Sequence, residues 1–336
     1  MKSAVIVGGG IAGLAAAPIL VGAGWDVRVL EKSDEVSAGG TALGMWPEAL
    51  RALDAVGVGD AVRSASVEVT GARFLRPDGS CIARLGAKHS ARLVPRPDLL
   101  EALAAASPTG VVEFGRRVEA LSDVSECDVI IAADGINSAI RSEVFGPEGT
   151  PIPLGAVAWR GTVDGPCVSM TETWGRGKLF GTTPHDSRRT NWFASVRRTE
   201  LGEGESMAEH FASWHGGVSD VVARIDQQRS DFRELAMIPS MKSWVRGNVA
   251  LVGDAAHAMA PNLGRGACES LLDAVALASS LVEEETVAGA LRRYDAARRR
   301  RAYRISRASS LAGSCATARR WTRARDLLAG GLARIG

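Results

Sequence analysis

Cysteine is scarce and dispersed in this chain. The five residues (Cys81, Cys127, Cys167, Cys268 and Cys315) are odd in number and form no CxxC pair or His/Cys cluster. Neither a disulfide framework nor a zinc site is supported, and no metal is expected. Net charge is nearly absent too: 40 Lys and Arg against 38 Asp and Glu leave a formal +2, too little to draw the chain to nucleic acid. Beyond Lys32 no apolar run is long and unbroken enough to span a bilayer, so membrane association is not expected. No internal repeat or low-complexity linker stands out. These absences point to a globular protein of a reducing cytoplasm. At 336 residues and 46% hydrophobic content, it is large enough for one big or two modest cores.

What is present begins at once. Residues 4–32, AVIVGGGIAGLAAAPILVGAGWDVRVLEK, read as an apolar strand, a glycine turn, an alanine-rich helix, a second strand and an acidic residue. Gly8, Gly10 and Gly13 have the G-x-G-x-x-G spacing, and Glu31 follows at the tip of the second strand. In that context the pattern is a dinucleotide fingerprint. Gly8 permits the tight turn, Gly10 lets the backbone approach a pyrophosphate, and Gly13 lets the helix pack closely. The phosphates then meet free N–H groups at a helix N-terminus, and Glu31 is placed for a ribose diol. An export signal is the competing reading of this apolar run. Its six glycines and the terminal Arg28, Glu31 and Lys32 argue against it.

Further on, residues 67–94 alternate with turn signals such as Pro77-Asp78-Gly79 and read as short antiparallel strands. Asp98 is placed to cap a helix over LLEALAAAS. VVEFGRRV and DVIIAADG read as strands rejoining the first sheet. From Pro151 to about Met241, tryptophans and glycines intersperse β-like segments, a second lobe of mixed sheet with helices. After Gly264 everything reads as helical. The two lobes are interleaved in sequence. Two more stretches bear on the fingerprint's ligand: Asp134-Gly135-Ile136-Asn137-Ser138-Ala139-Ile140-Arg141, and Gly253-Asp254 followed by Pro261-Asn262-Leu263-Gly264-Arg265-Gly266. Each follows an apolar strand, where an open parallel sheet places its ligands.

In these three blocks, VGGGIAGLAAA, DGINSAIR and GDAAHAMAPNLGRGACESLLDA, the chain resembles the class A flavoprotein monooxygenases, the para-hydroxybenzoate hydroxylase-like family. Its salicylate and urate hydroxylase-like branch is the nearest match. VPRPDLLEAL, AWRG and YDAARRRRA match weaker signatures, so the resemblance spans nearly the whole chain. It implies an α/β fold: a Rossmann-type FAD-binding domain interleaved with a mixed-sheet substrate domain and a C-terminal helical region. The implied boundaries are 1–66, 95–150 and 242–284 for the FAD domain, 67–94 and 151–241 for the substrate domain, and 285–336 for the helices.

The resemblance also implies bound FAD, with NAD(P)H a transient reductant. By that resemblance NAD(P)H would reduce the flavin, O2 would add at C4a, and the distal oxygen would pass to an aromatic or other electron-rich small molecule. Residue by residue, Gly8, Gly10, Ile11, Ala12, Gly13, Glu31 and Lys32 hold the AMP half, and Arg96 and Val118 join the cofactor contacts. Asp134, Gly135 and Arg141 form the Asp-Gly motif, and Asp254 meets the ribityl chain. Gly264, Arg265, Gly266 and Ala267 present backbone N–H groups to the flavin, where a helix dipole favours the reduced anion. A plainer reading has Asp134 capping a helix and Arg141 pairing with it. His257 is expected to be structural rather than a base. The substrate pocket is expected among Trp46, Trp159, Trp174, Phe180, Trp192 and Pro261, with Arg160 available to a substrate anion. Core packing is the competing reading for each of these aromatics. The C-terminal arginines read as solvated helices buttressing the FAD domain.

Departures from the family pattern are Pro18 inside the first helix, a short link between Val118 and Asp128, and Arg265, whose charge is expected beside the flavin. A monomer or homodimer is expected. The competing functions are a flavin oxidase or reductase on the same scaffold and a flavin-binding protein without turnover.

Overall fold

The computed structural model describes residues 1–124, 126–167, 169–226 and 230–335; residue 125 of the short Val118–Asp128 link therefore lies outside the described residues. The chain builds two sheets. The smaller contains β1 (Ser3–Val7), β2 (Asp26–Leu30), β6 (Val112–Glu113), β7 (Val129–Ala132), β13 (Val245–Arg246) and β14 (Val249–Leu251). Their order is β13-β14-β7-β1-β2-β6, parallel except for β13. β1, β7 and β14 are nearly all apolar and wholly or almost wholly buried, as strands covered on both faces must be. α1 (Ile11–Gly22) crosses between β1 and β2 and runs uninterrupted through Pro18.

The larger sheet has the order β12-β8-β11-β10-β9-β4-β5-β3. Its strands are β3 (Ala42–Met45), β4 (Val67–Leu75), β5 (Cys81–Pro95), β8 (Ile152–Asp164), β9 (Met170–Trp174), β10 (Lys178–Pro184), β11 (Arg189–Arg197) and β12 (Asp231–Met237). β3 lies in a stretch assigned by resemblance to the FAD domain, yet it pairs with β5 at the edge of the larger sheet. α2 (Pro47–Val56), α3 (Gly59–Ser64), α4 (Arg96–Ala105) and α5 (Ala139–Phe145) share one core with the first sheet. α4 starts at Arg96 after Pro95, so Asp98 sits in its first turn rather than at the cap expected for it. α6 (Met207–Phe211) and α7 (Gly216–Val222) cover one face of the larger sheet. There they enclose a separate core of Phe180, Trp192, Phe211 and Trp214.

After β14 come α8 (Asp254–His257), α9 (Gly266–Glu283), α10 (Val287–Ala316) and α11 (Thr322–Ile335). α9 packs on α1, α10 on α9, and α11 on β5. At the end of α10, Thr317 accepts hydrogen bonds from Arg197 Nε at 3.0 Å through its carbonyl and 3.1 Å through its hydroxyl. The C-terminal helices therefore reach across to the larger sheet. Among the described residues no helix is long and apolar enough to cross a membrane.

Candidate active site

Three loops leave the carboxyl ends of adjacent strands β1, β7 and β14, the edge where an open α/β sheet binds its ligands. They are locked together. Gly8 has φ +107°, and a Cβ there would stand 2.5 Å from the Ala133 carbonyl oxygen; only glycine fits. Arg141 is buried and donates to the Ala255 carbonyl at 3.0 Å and the Ile136 carbonyl at 2.5 Å, which ties the second loop to the third. The pairing expected between Asp134 and Arg141 is thus corrected. Ser138 caps α5, its Oγ accepting from Arg141 N at 2.9 Å, and the guanidinium serves carbonyl groups. Asp134 accepts only a 3.4 Å bond from Ile140 N, and its buried Oδ1 has no partner among the described residues.

At the end of β2, Glu31 accepts from Gly9 N at 2.6 Å and Ser33 N at 2.9 Å, so its carboxylate stands at the mouth of the glycine turn. Exposed Lys32 lies beside it, and half-buried Val118 packs against the core. Gly10, Ile11, Ala12 and Gly13 form the start of α1, whose first turn no side chain caps. Arg96 donates to Ser37 Oγ and the Gly39 carbonyl, both at 3.1 Å. Burial lowers its pKa, helped by Arg160 and opposed by Glu31. Arg96 is therefore within electrostatic reach of both sheets.

Asp254 opens to solvent and takes no hydrogen bond from a described residue on its side chain. The protein packed around it pushes its pKa up, against His257 and Arg160. α9 begins at Gly266 with no side-chain cap, leaving the first-turn N–H groups of Gly266 and Ala267 available beside Gly264. Arg265, whose charge is expected beside the flavin, is ion-paired. It pairs with Glu48 and, at 3.0 Å, with Glu269, its guanidinium 5.9 Å from the Trp46 ring. His257 is structural: fully buried, with Nε2 2.5 Å from Asp273 Oδ2 and Trp244 packed on its ring.

The expected substrate aromatics separate by strand parity. Phe180 and Trp192 stack in the core beneath α6 and α7, about 1% exposed, and Trp159 packs on Phe232 on that same outer face. Phe180 and Trp192 are corrected from pocket to core, and half-buried Trp159 from the inward to the outer face. Phe180→Ala is therefore expected to cost about 3–5 kcal/mol in urea denaturation while FAD is retained. An unchanged midpoint with an altered substrate range would return it to the pocket. Arg160 faces the other way, paired with Asp231 at 2.7 Å. Trp174 shares that inward face; Trp46 and Pro261 flank the start of α2 and the turn before α9.

An orphaned carboxylate oxygen on Asp134, an open Asp254, an uncapped α9 and a glycine turn with Glu31 at its mouth define a site for a long dinucleotide laid across the strand ends. The chain belongs to the FAD binding domain family, whose model matches residues 1–126 and 119–309. It is 30% identical to the aurachin C monooxygenase/isomerase of Stigmatella aurantiaca, over 89% of this chain and 85% of that protein. It is 31% identical to the FAD-dependent urate hydroxylase of Klebsiella oxytoca, over 88% and 85%. The fold superposes on Klebsiella pneumoniae HpxO complexed with FAD and uric acid with a TM-score of 0.88 at 26% identity, covering 99% of this chain and 93% of that one. The protein is an FAD-dependent monooxygenase.

Sequence reasoning missed two inward-facing residues. Glu172 and Phe193 share a row across the larger sheet with Arg160. Only the alternation along β9 and β11 hints at them, and that alternation does not say which face the helices cover.

Proposed function

We propose that this monooxygenase transfers one oxygen atom of O2 to a flat, electron-rich aromatic small molecule held between the start of α9 and the inward face of the larger sheet. Carrying this reading is the interlock of the three loops, Gly8 on Ala133 and Arg141 on Ala255, at one strand edge. FAD supplies the redox and oxygen chemistry when bound; the chain positions and shields. Gly8, Gly10 and Gly13 with Glu31 hold the adenosine half, and Asp254 binds the ribityl hydroxyls. Gly264, Gly266 and Ala267 direct N–H groups and the positive end of α9 at the flavin, stabilising negative charge there. Arg96, beside both sheets, holds the 33–44 loop over the cofactor. NAD(P)H visits as reductant, since no second fingerprint is present. The three sequence segments 1–66, 95–150 and 242–284 act as the FAD domain, and 67–94 with 151–241 as the substrate lobe. A monomeric or homodimeric cytoplasmic enzyme fits this reading.

The purified protein is expected to show a flavin spectrum and to oxidise NADH or NADPH faster when an aromatic ligand binds, yielding a product heavier by one oxygen atom. Uric acid, salicylate and 4(1H)-quinolone make a suitable first panel. A colourless protein that takes up no FAD on reconstitution overturns the reading.

A further inference from the structure

The inward face of the larger sheet carries a buried carboxyl group that the cofactor site leaves unused. Strand pairing sets Glu172 on β9 opposite Gly181 on β10, Gly181 opposite Phe193 on β11, and Phe193 opposite Arg160 on β8. A Cβ on Gly181 would stand 2.1 Å from the tip of the Phe193 ring. The ring thus lies across Gly181, toward Glu172, whose Cβ is about 5 Å from that position. Phe74 on β4 is in register with Glu172 on its other side, and its ring is 5.0 Å from Trp174.

One end of this row, at Arg160, reaches the cofactor crevice. Along the same face of β11, Asn191 accepts a hydrogen bond from Ala42 N at 3.1 Å, and Arg197 holds the end of α10. Those anchor points are six residues apart, about 20 Å of strand, and half-buried Phe193 lies between them. At the row's end, Arg160 is near enough to Asp254 to oppose its raised pKa.

Glu172 is 7% exposed. Its Oε1 accepts from the Trp174 indole N–H at 2.5 Å, whereas Oε2 takes no hydrogen bond from any described residue. Arg325 lies over the Trp174 ring at 5.5 Å, so Trp174 is a positioning residue that fixes Oε1 and aims Oε2. Oε2, on a residue this buried and without a partner among the described residues, is free to accept from a donor that enters beside the aromatic surface.

We propose that Glu172 is the substrate-recognition carboxyl of this enzyme, its Oε2 accepting the N–H or O–H of a flat aromatic ring packed on Phe193, and that aromatic carboxylates are rejected. The inference rests on the monooxygenase reading for what lies beneath the sheet, and it deepens that reading by naming the substrate class. The same oxygen can take the proton outright. The N–H or O–H bond breaks, its electron pair stays on the ring, and Oε2 becomes the acid's hydroxyl. A ring that gains that pair is more nucleophilic toward electrophilic oxygen.

Burial pushes the Glu172 pKa up to about 7, against the Trp174 hydrogen bond, so a proton can pass either way near neutral pH. The charged groups nearest on this face are compensated or tied elsewhere. Arg160 pairs with Asp231, Arg325 and Arg76 with Asp326, and Arg197 is held by Thr317.

The test uses the FAD-loaded protein and reads binding, not turnover, by the perturbation of flavin absorbance and tryptophan fluorescence. Probes are 4(1H)-quinolone against its N-methyl derivative, with uric acid and resorcinol as further donors and salicylate as the carboxylate. Wild type is expected to bind 4(1H)-quinolone about ten- to a hundredfold tighter than the N-methyl compound, tightening as pH rises through about 7. In Glu172→Gln the Trp174 N–H holds the amide oxygen and the NH2 faces the ligand. The N–H preference and its pH dependence should vanish, and salicylate binding should rise. Equal binding of the two quinolones by wild type, no binding of any donor probe, or an unchanged preference in the variant overturns the proposal. The wild-type comparison stands even where the variant folds poorly. Failure of the FAD-loaded protein to oxidise NAD(P)H counts against the function proposed above and leaves this binding comparison intact.

Discussion

Replacing Arg298 by leucine is expected to destabilise the protein by about 3–5 kcal/mol, read as the loss of unfolding free energy in urea or as a lowered thermal midpoint. Arg298 is 5% exposed and donates to two carboxylates that solvent does not reach at all. Nε meets Asp273 Oδ1 at 2.8 Å and Nη2 meets Glu269 Oε2 at 2.6 Å. Beyond these the chain of charges continues on both sides: Asp273 to His257, and Glu269 to Arg265 and on to Glu48. With leucine in the middle, two buried carboxylates face each other without their shared cation. Arg298→Lys reaches one carboxylate at a time and is expected to lose roughly half as much. A leucine variant as stable as wild type would show that the network adds nothing that packing cannot replace.

The same network sets a pH window. Burial disfavours the His257 imidazolium, yet Asp273 outweighs this and raises its pKa; that contribution is complete below the unfolded value and lost as pH climbs through the folded one. Burial likewise works against ionised Asp273, but His257 and Arg298 win and depress its pKa. Its contribution is complete above the unfolded value and lost as pH falls. Both are fully present between about pH 4 and 6.5, so the penalty of Asp273→Asn is expected to be greatest there. Arg265 belongs to this network, its charge compensated by Glu48 and Glu269.

How much of this was legible depends on how local the determinant is. The glycine turn, Glu31, Asp254 and the start of α9 follow from short-range spacing, and they stand where the motifs put them. Face assignment did not follow. β10 and β11 carry bulky apolar residues on both sides, and nothing in KLFGTTP or NWFASV says that α6 and α7 cover the Phe180 and Trp192 side. Glu172 lies two residues before Trp174 and reads as a solvated strand residue until β4 and β10 flank it. Arg298 hides in a run of four arginines. The signal was present, since Ala290, Tyr294, Arg298 and Ala302 recur at four-residue spacing along one buried stripe of α10. A charge on an apolar stripe calls for a buried counter-charge, and Glu269 and Asp273, one turn apart on α9, supply it.

Two neighbouring glycines in the fingerprint should fail in different ways. A Cβ on Gly13 would stand 2.0 Å from the Gly8 carbonyl oxygen and 3.2 Å from Ile6. Backbone cannot yield as a flexible side chain does, so α1 would have to lift from β1. Gly13→Ala is expected to lose about 3 kcal/mol in the protein stripped of FAD, and to lose the cofactor with it. Gly10 is the converse. Its φ of −83° suits any residue, and a Cβ there meets no atom of the chain within 4 Å. Gly10→Ala should therefore fold as wild type when stripped of FAD. Its methyl group instead occupies space at the uncapped start of α1, where the pyrophosphate must come within hydrogen-bond reach of N–H groups. Displacing two such charge-assisted bonds weakens binding by on the order of a hundredfold or more. Urea denaturation of the stripped variants and FAD titration followed by flavin fluorescence separate the two effects. A Gly10→Ala protein that binds FAD like wild type would remove the pyrophosphate from this turn. A Gly13→Ala protein of full stability would mean that the helix does not need to sit so close to the strand.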